Sequence, residues 1–281
     1  MTALPEVYPA PAKLNLFLHV TGRRPDGYHE LQTIFRFIDR ADTLRFEVRS
    51  DGVVRRVTGP SDVPEDQDLV VRAARLLQSR CGSGAGVDIH LDKRLPMGGG
   101  VGGGSSDAAT TLIALNRLWG LGLHRGELQA LGLQLGADVP VFVFGRNAFA
   151  EGVGEKLQPI DLPQAWYVVL VPPVHVSTAS VFGHPELTRN SDPLKLAAFF
   201  SGTTRNDLEG VVRRLHPEVN QALHWLSAFG DARMSGSGAS VFCGFSSEAQ
   251  ALGVWNQRPG NVSGFVARGL MEHPLLHLTA D

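Results

Sequence analysis

The strongest constraint on this chain is a glycine run at residues 96–106, PMGGGVGGGSS, which has glycine at six of the seven positions 98–104. Backbone with so few side chains can bring N–H groups close to an anion and can adopt positive φ where a tight turn requires it. The run leads into a predicted helix, whose first N–H groups lack partners and whose dipole favours a phosphate. It therefore predicts a phosphate-binding loop. A flexible linker is the alternative, although a linker is not expected between a strand and a helix.

Two familiar phosphate-loop patterns can be compared with this run. Gly98, Gly100 and Gly103 satisfy GxGxxG, but a dinucleotide-binding fold also needs repeated βαβ units, which the chain does not show. A Walker A loop ends in GK[ST], whereas Gly104 is followed by Ser105. The run is thus a loop of another kind, and any lysine that neutralises the phosphates must come from elsewhere in the chain or be absent.

Hydrophobic periodicity predicts a mixed α and β chain without regular βα alternation. Apolar residues at period two predict strands, and apolar residues at helical spacing predict helices. The predicted strands are 12–20, 43–49, 86–92, 166–171 and 239–245, and the predicted helices are 69–78, 106–118 and 125–135. Ser105 or Ser106 is expected to cap the helix after the glycine run, and Gly120 to end it. The polar, glycine-containing segment 151–163 is predicted to join two lobes.

Lys13, Asn15 and Asp138 are candidates for chemistry on a hydroxyl group. Lys13 and Asn15 are two apart on a predicted strand, so they share a face and could orient a hydroxyl beside negative charge. A solvated strand face is the alternative, and spacing alone favours it. Asp138 stands between Gly136 and Pro140, on a rigid turn that could hold a general base. An Asx turn or a helix cap would use the same residue.

Two further segments could contact a ligand. Tyr28 and His29 lie in the turn DGYHE at 26–30, where an aromatic ring could stack on a planar base and an imidazole could bond to its edge. A loop with a packed tyrosine is the alternative. The turn SGSG at 235–238 has the composition of a second anion-binding nest, and it could equally be a plain turn.

The bulk properties exclude several classes of protein. A formal net charge of −2 provides no general attraction to nucleic acid or to an anionic membrane. The segment 1–11 has neither the basic start nor the apolar core of a signal peptide. The most apolar run, 165–176, is interrupted by Pro172 and Pro173 and is too short to span a bilayer. With two dispersed cysteines, we expect a cytoplasmic protein.

Taken together, PAKLNL at 11–16, DGYHEL at 26–31, the glycine run, LGADVP at 135–140 and MSGSG at 234–238 resemble the GHMP kinase superfamily. That superfamily is named for galactose, homoserine, mevalonate and phosphomevalonate kinases, and the similarity extends from Lys13 nearly to the end of the chain. It implies an α+β fold with two domains. An N-terminal nucleotide-binding domain like ribosomal protein S5 would cover 1–158, and a C-terminal domain with a ferredoxin-like α+β core would cover 159–281.

The resemblance also implies a role for each matching residue. Lys13 and Asp138 would be catalytic, with Asp138 as the base. The motifs PAKLNL, DGYHEL and LGADVP together are similar to those of members that phosphorylate the 2-hydroxyl of CDP-methylerythritol in the non-mevalonate isoprenoid pathway, whereas the glycine run indicates only the superfamily. The residues that would bind this substrate are Asn15, Tyr28, His29, Thr178 and Phe182. The residues that would bind ATP are Lys93, Pro96, Met97, Gly98, Gly99, Gly100, Val101, Gly102, Gly103, Gly104, Ser105 and Ser106.

ATP and Mg²⁺ are the implied cofactors, since a divalent cation screens the phosphates. We expect few or no protein ligands to the metal, and a monomer or homodimer with no nucleic-acid or membrane partner. A kinase of the same family with a different alcohol substrate is the nearest alternative. An inactive nucleotide-binding regulator and a dinucleotide-dependent oxidoreductase are more distant ones.

Overall fold

A computed structural model describes residues 6–199 and 204–279 of the chain. Residues 1–5, which belong to the segment predicted not to be a signal peptide, lie outside the described residues. The fold is α+β and is divided between two antiparallel-rich sheets. Among the described residues, no helix combines the length and the apolar character needed to cross a membrane.

The first lobe is built on a six-stranded sheet with four helices packed beside it. The elements of this lobe are β1 (Tyr8–Arg23), β2 (His29–Arg49), β3 (Val54–Thr58), α1 (Leu69–Cys81), β4 (Gly86–Asp92), α2 (Gly103–Leu118), α3 (Arg125–Leu135), α4 (Val139–Phe144), β5 (Ala148–Glu151) and β6 (Lys156–Pro159). In the sheet, β3, β4, β2, β5 and β6 are neighbours in that order, and β1 also pairs with β2. The sheet is antiparallel except for the pair β3 and β4.

The second lobe contains a four-stranded antiparallel sheet. Its elements are β7 (Trp166–Val171), α5 (Thr178–Gly183), α6 (Leu196–Phe199), α7 (Glu209–Leu215), α8 (Pro217–Leu226), β8 (Ala232–Met234), β9 (Val241–Phe245), α9 (Glu248–Trp255) and β10 (Ser263–Arg268). The strand order in the sheet is β10, β7, β9, β8. Along the chain, one strand, a helical region, two strands, a helix and a last strand follow each other, which is the βαββαβ arrangement of a ferredoxin-like core. A 3₁₀ turn, Leu276–Leu278, follows them.

The long strand β1 contributes to the cores of both lobes. Tyr8 and Ala10 are buried in the core of the first lobe, whereas Leu18 and Val20 are buried in the core of the second. Register shifts interrupt the pairing of β1 with β2, one of them between Asn15 and Leu18, and such bulges bend a strand. The strand therefore passes from one lobe to the other, and its middle lies between them.

The predicted strands and helices are mostly confirmed, although several bounds and environments differ from the predictions. The strands predicted at 12–20 and 43–49 are parts of the longer β1 and β2, and the helix predicted at 69–78 extends to Cys81. The helix after the glycine run begins at Gly103, with Gly102 at its N-cap, because the glycines themselves form its first turn and Ser106 is buried within it. The strand predicted at 239–245, which follows the glycine-serine turn, begins at Val241. The polar side of β1 is not solvated, since Lys13 and Asn15 are each 2% exposed.

A further difference concerns the segment 151–163, for which the sequence predicts a connection between the lobes. Its middle, Lys156–Pro159, is a strand that pairs with Ala148–Glu151 within the first sheet. Ile160 and Leu162 are also buried against residues of the first lobe. The connection is therefore shorter than predicted, because the polar residues are the exposed side of an edge strand. The domain boundary at 158/159 stays a prediction.

Candidate active site

The glycine run forms a tight loop between β4 and α2. Gly98, Gly100 and Gly102 all have φ near +70°, a region that favours glycine. A Cβ at Gly100 would lie 2.1 Å from the carbonyl oxygen of Ser235, and one at Gly102 would lie 2.9 Å from Phe142. Backbone conformation and close packing therefore both require glycine at these two positions.

The turn at residues 235–238 packs directly against this loop. The Ser235 hydroxyl donates to the carbonyl of Gly100 at 2.9 Å, and the backbone N–H of Ser240 donates to the carbonyl of Gly99 at 3.0 Å. Asn206, which sequence reasoning missed, donates its amide to the carbonyl of Gly236 at 2.7 Å. The second lobe thus holds the glycine loop in place by hydrogen bonds.

Lys13 lies at the centre of the site, where β1 passes between the lobes. Its ammonium donates to Asn15 Oδ1 at 2.5 Å and to the carbonyl of Gly100 at 3.0 Å. It also lies 3.2 Å from Asp138 Oδ2. A buried ammonium requires such partners, because an unpaired charge in the interior is strongly unfavourable. The lysine therefore links the glycine loop to the carboxylate.

Asp138 occupies the N-cap position of α4, and its side chain makes no capping hydrogen bond. The side chain is 36% exposed, in contrast to the buried Lys13. Its carboxylate therefore has one described ionic partner and is open to the cavity, where it could accept a proton from a hydroxyl group. The helix-cap interpretation accounts for the position of the residue but not for the direction of its carboxylate.

Asn15 has both ends of its side-chain amide engaged within the protein. Its Oδ1 accepts from Lys13, and its Nδ2 donates to Thr33 Oγ1 at 3.0 Å. Since Lys13 is fixed by this contact, Asn15 orients the ammonium. A role for Asn15 in holding the substrate hydroxyls stays a prediction.

A cavity of about 580 Å³ collects most of the predicted residues at the junction of the two lobes. Its lining contains parts of the glycine loop, the Lys13 and Asp138 pair, and the 236–238 turn. The predicted site residues that line it are Lys13, Asn15, Pro96, Gly98, Gly99, Gly100, Gly102, Gly103, Gly104, Ser105, Asp138, Thr178 and Phe182. Val101 and Ser106 are buried below the loop, while Met97 is exposed.

Tyr28 and His29 line a second cavity of about 550 Å³, and Thr178 and Phe182 are shared between the two cavities. The Tyr28 ring is 62% exposed. The His29 and Phe182 rings lie with their centroids 5.0 Å apart at 31° to each other. The second cavity is thus largely aromatic and apolar, and it opens beside the one that contains Asp138.

Arg189 was missed at the sequence level, although it contacts a predicted residue. Its Nε–H donates to His29 Nε2 at 3.1 Å across 160 positions of sequence. Burial, followed by the charges of Arg189 and Arg23, lowers the pKa of His29 below its ordinary value. No local motif indicates this arginine, because the contact joins the first residue of β2 to a segment of the second lobe that is distant in the sequence.

Lys93 lies beneath the N-terminus of α2 and is bound by two carboxylates. Its ammonium contacts Asp107 Oδ2 at 2.7 Å and also contacts Asp42. Asp42 in turn accepts from the backbone N–H of Leu95 at 2.8 Å. Burial raises the pKa of Asp107 to about 8, with Asp42 adding to the effect and Lys93 opposing it. These contacts fix the base of the loop, and a role for Lys93 near the nucleotide stays a prediction.

The described residues contain no group of three or more His, Cys, Asp or Glu side chains arranged to hold a metal ion. Asp138 is the carboxylate among the residues that line the main cavity, and the other lining side chains with oxygen atoms are Asn15, Thr33, Ser105, Ser177, Thr178 and Ser237. Such a donor set suits a magnesium ion that reaches a site already bound to phosphates.

The site combines a glycine loop at a helix N-terminus with a buried lysine and an aspartate, in a two-lobed fold whose second lobe is ferredoxin-like. This is the arrangement of a small-molecule kinase. Residues 68–146 match the family GHMP kinases N terminal domain, and residues 186–260 match GHMP kinases C terminal. The chain belongs to the GHMP kinase family.

Within that family, the chain is similar to proteins named 4-diphosphocytidyl-2-C-methyl-D-erythritol kinase. The protein of that name from Thiobacillus denitrificans is 64% identical, over 96% of this chain and 97% of its own length. The one from Nitrosomonas europaea is 59% identical, over 96% of this chain and 99% of its own.

Solved structures show the same relationship. A crystal structure of 4-(cytidine 5'-diphospho)-2C-methyl-D-erythritol kinase has a TM-score of 0.78 at 37% identity, covering 94% of this chain and all of that one. Mevalonate kinase from Methanococcus jannaschii has a TM-score of 0.70 at 15% identity, over 96% of this chain and all of its own. The second likeness concerns the fold alone.

Proposed function

We propose that this chain transfers the γ-phosphoryl group of ATP to the 2-hydroxyl of 4-diphosphocytidyl-2-C-methyl-D-erythritol. The observation that carries the proposal is the meeting of Lys13 Nζ and Asp138 Oδ2, 3.2 Å apart, in one cavity with the glycine loop. The names of the relatives at 59–64% identity specify the alcohol.

The glycine loop is suited to hold the phosphates of ATP. Six glycines, at 98–100 and 102–104, line the cavity without a Cβ, and the last two of them begin α2. Backbone N–H groups at a helix N-terminus bind phosphate by hydrogen bonding and by the helix dipole. Because Lys13 is bonded to the carbonyl of Gly100, its charge lies at the edge of this phosphate site.

Asp138 is suited to act as the base for the alcohol. Phosphoryl transfer mainly requires that the reactants be positioned and that charge be stabilised. The Asp138 carboxylate would orient the 2-hydroxyl and accept its proton while the oxygen attacks the γ-phosphorus and ADP leaves. Lys13 would compensate the negative charge that builds up between the attacking oxygen and the phosphate.

The second cavity is suited to the cytosine of the substrate. Tyr28 and Phe182 are aromatic walls of this cavity. His29 is one of its polar residues, together with Arg23, Asp26 and Thr178. A base cannot lie between the His29 and Phe182 rings, whose centroids are only 5.0 Å apart, because a ring stacked on both needs about twice the usual contact distance of roughly 3.5 Å. The base would therefore lie against Tyr28 and Phe182, with His29 at its edge.

Magnesium would be held largely by phosphate oxygens and water, with the Ser105 hydroxyl as a protein oxygen on the lining of the same cavity. The ion would screen the charge of the phosphates during transfer.

A direct assay tests the proposal. Purified protein is supplied with Mg-ATP and 4-diphosphocytidyl-2-C-methyl-D-erythritol, and ADP release is followed together with the phosphorylated product. We expect ADP release that depends on the alcohol and a product that carries phosphate on the 2-hydroxyl. ADP release that is independent of this alcohol, or faster with mevalonate or homoserine, would contradict the substrate assignment.

A further inference from the structure

Arg189 connects the two walls of the second cavity. Its Nε donates to His29 Nε2 at 3.1 Å. Its Nη2 donates to the carbonyl oxygens of Phe182 at 2.7 Å and His184 at 2.8 Å, and its Nη1 donates to that of Leu187 at 3.1 Å. One guanidinium thus binds both the imidazole of His29 and the backbone carbonyls at Phe182 and His184, and it fixes the position of His29 relative to Phe182.

The contact with Arg189 determines which nitrogen of His29 carries hydrogen. A guanidinium has only donors, so a nitrogen that it bonds must be an unprotonated acceptor. His29 Nε2 is that nitrogen, and the ring is consequently neutral with its hydrogen on Nδ1. The adjacent positive charge and the burial of the ring both disfavour a second proton. Among the described residues, no other hydrogen bond engages the ring.

Where it meets N3 of the base, a fixed donor at Nδ1 distinguishes between pyrimidines. Cytosine has an unprotonated N3 on its Watson–Crick edge, which accepts a hydrogen bond, whereas uracil has an N–H at the same position. A site whose polar group is fixed in one role rejects the ligand that leaves this group unpaired. If the imidazole could change tautomer, Nδ1 could accept from uracil instead.

We propose that Arg189 holds His29 in the Nδ1–H tautomer and thereby makes this cavity select cytosine over uracil. The inference rests on the proposed function in one respect, namely that the ligand of the cavity is a pyrimidine nucleotide. Arg189 is a positioning residue in this scheme, since it acts on the base through His29. An arginine suits this position because its guanidinium has several donors. Its hydrogen bonds to the carbonyl oxygens of Phe182, His184 and Leu187 prevent the guanidinium from rotating away from His29.

The tautomer can be measured without turnover. Protein labelled with ¹⁵N-histidine is examined by long-range ¹H–¹⁵N correlation at neutral pH, and His29 is assigned from the signals that His29→Gln removes. We expect the Nδ1–H pattern for His29 in the wild type. In Arg189→Met, which removes every donor, the Nε2–H form should become populated. Arg189→Lys keeps one charged donor, so its spectrum should lie between the two. A wild-type ring that carries hydrogen on Nε2, or on both nitrogens, overturns the proposal without any variant.

Selectivity is measured with 4-diphosphocytidyl-2-C-methyl-D-erythritol and its uridine counterpart. We expect Arg189→Met to lower the ratio of the kcat/KM value for the cytidine substrate to that for the uridine substrate by roughly 5- to 100-fold. This range corresponds to the cost of leaving one buried donor unpaired, which the uridine substrate no longer meets when the imidazole can change tautomer. The loss should appear mainly in the KM of the cytidine substrate, with the KM of ATP unchanged. Arg214→Met is the matched control, because Arg214 pairs with Glu186 on the surface of the same lobe.

The outcomes separate this inference from the proposed function. A wild type that phosphorylates both substrates equally leaves the kinase assignment intact and overturns the role of Arg189. A wild type inactive on both substrates contradicts the kinase assignment, and the inference is then decided by the tautomer and by the relative affinities for CMP and UMP. A folded Arg189→Met protein that keeps the wild-type tautomer and the wild-type preference also overturns it.

Discussion

Replacing Asp138 by asparagine separates proton transfer from binding. The amide has the shape of the carboxylate and can remain at the N-cap of α4, but it cannot accept the proton of the alcohol. General-base catalysis contributes about 10²- to 10⁴-fold, which corresponds to about 3–5 kcal/mol of transition-state stabilisation. We therefore expect kcat to fall by two to four orders of magnitude in Asp138→Asn.

The cost to the fold is expected to be much smaller. Lys13 loses one partner at 3.2 Å but keeps Asn15 Oδ1 and the carbonyl of Gly100. The Coulomb attraction at that distance is about 1 kcal/mol in water and about 5 kcal/mol at an effective dielectric constant of 20. Because Asp138 is 36% exposed, screening places the loss in stability near the lower figure, about 1 kcal/mol. Unfolding therefore cannot account for a hundredfold loss of turnover.

The assay follows ADP release with both substrates varied, and calorimetry measures the affinity of each protein for ATP. The KM and Kd of ATP should change less than about threefold, since the glycine loop binds the phosphates through its backbone. Asp161→Asn, which changes an exposed aspartate beyond the cavity, should be indistinguishable from the wild type. A kcat for Asp138→Asn within tenfold of the wild type, with normal melting, would falsify its role as the base. Lys13→Met tests the partnership: its effect and that of Asp138→Asn should be less than additive in the double variant.

Three other perturbations test the loop, the base cavity and the buried histidine. Gly100→Ala should abolish measurable ATP affinity, because its Cβ would lie 2.1 Å from a carbonyl oxygen, while Gly126→Ala, with nothing within 4 Å, should be neutral in the same titration. Phe182→Ala should raise the KM of the cytidine substrate by roughly 5- to 100-fold, since stacking on a base is worth about 1–3 kcal/mol, and an equal rise in the KM of ATP would argue against a separate base cavity. Burial lowers the pKa of His273 to about 3, so the unfolded chain binds a proton below pH 6.5 that the folded chain does not, and stability should fall by about 1.4 kcal/mol per pH unit as pH drops from 6.5 toward 3. Chemical denaturation of His273→Asn should show a shallower pH dependence than the wild type, and parallel curves for the two proteins would contradict this account.

Local pattern was sufficient to predict eight of the strands and helices, but not the strands β3, β5, β6, β8 and β10. The strands Gly86–Asp92 and Trp166–Val171 and the helix Arg125–Leu135 have the predicted bounds, because their apolar periodicity and end signals agree. The start of α2 was misplaced, since serine is the commoner cap and the glycines were assigned wholly to the loop. Only the packing of Gly102 against Phe142 and of the glycine loop against the 235–238 turn defines where the helix begins.

Predictions for polar residues depended more on tertiary structure. Spacing alone favoured a solvated strand face for Lys13 and Asn15, and their burial shows that this alternative is wrong. Lys93 has the same charge as Lys13, yet two carboxylates engage it below the loop. Arg189 has no sequence signal, because its partner is 160 positions away. Burial and partners, rather than residue type, determine what a charged side chain does.

The sequence by itself determined that a glycine-rich loop leads into a helix, since glycine content and capping act over a few residues. It also determined eight strands and helices whose periodicity is local, and its motifs sufficed to indicate the kinase family. The tertiary structure alone decided that β1 passes between the lobes and brings Lys13 to Asp138 and Gly100. It alone joined Arg189 to His29. Contacts between residues so far apart in the chain form only when the cores of both lobes have packed, and no local spacing specifies them.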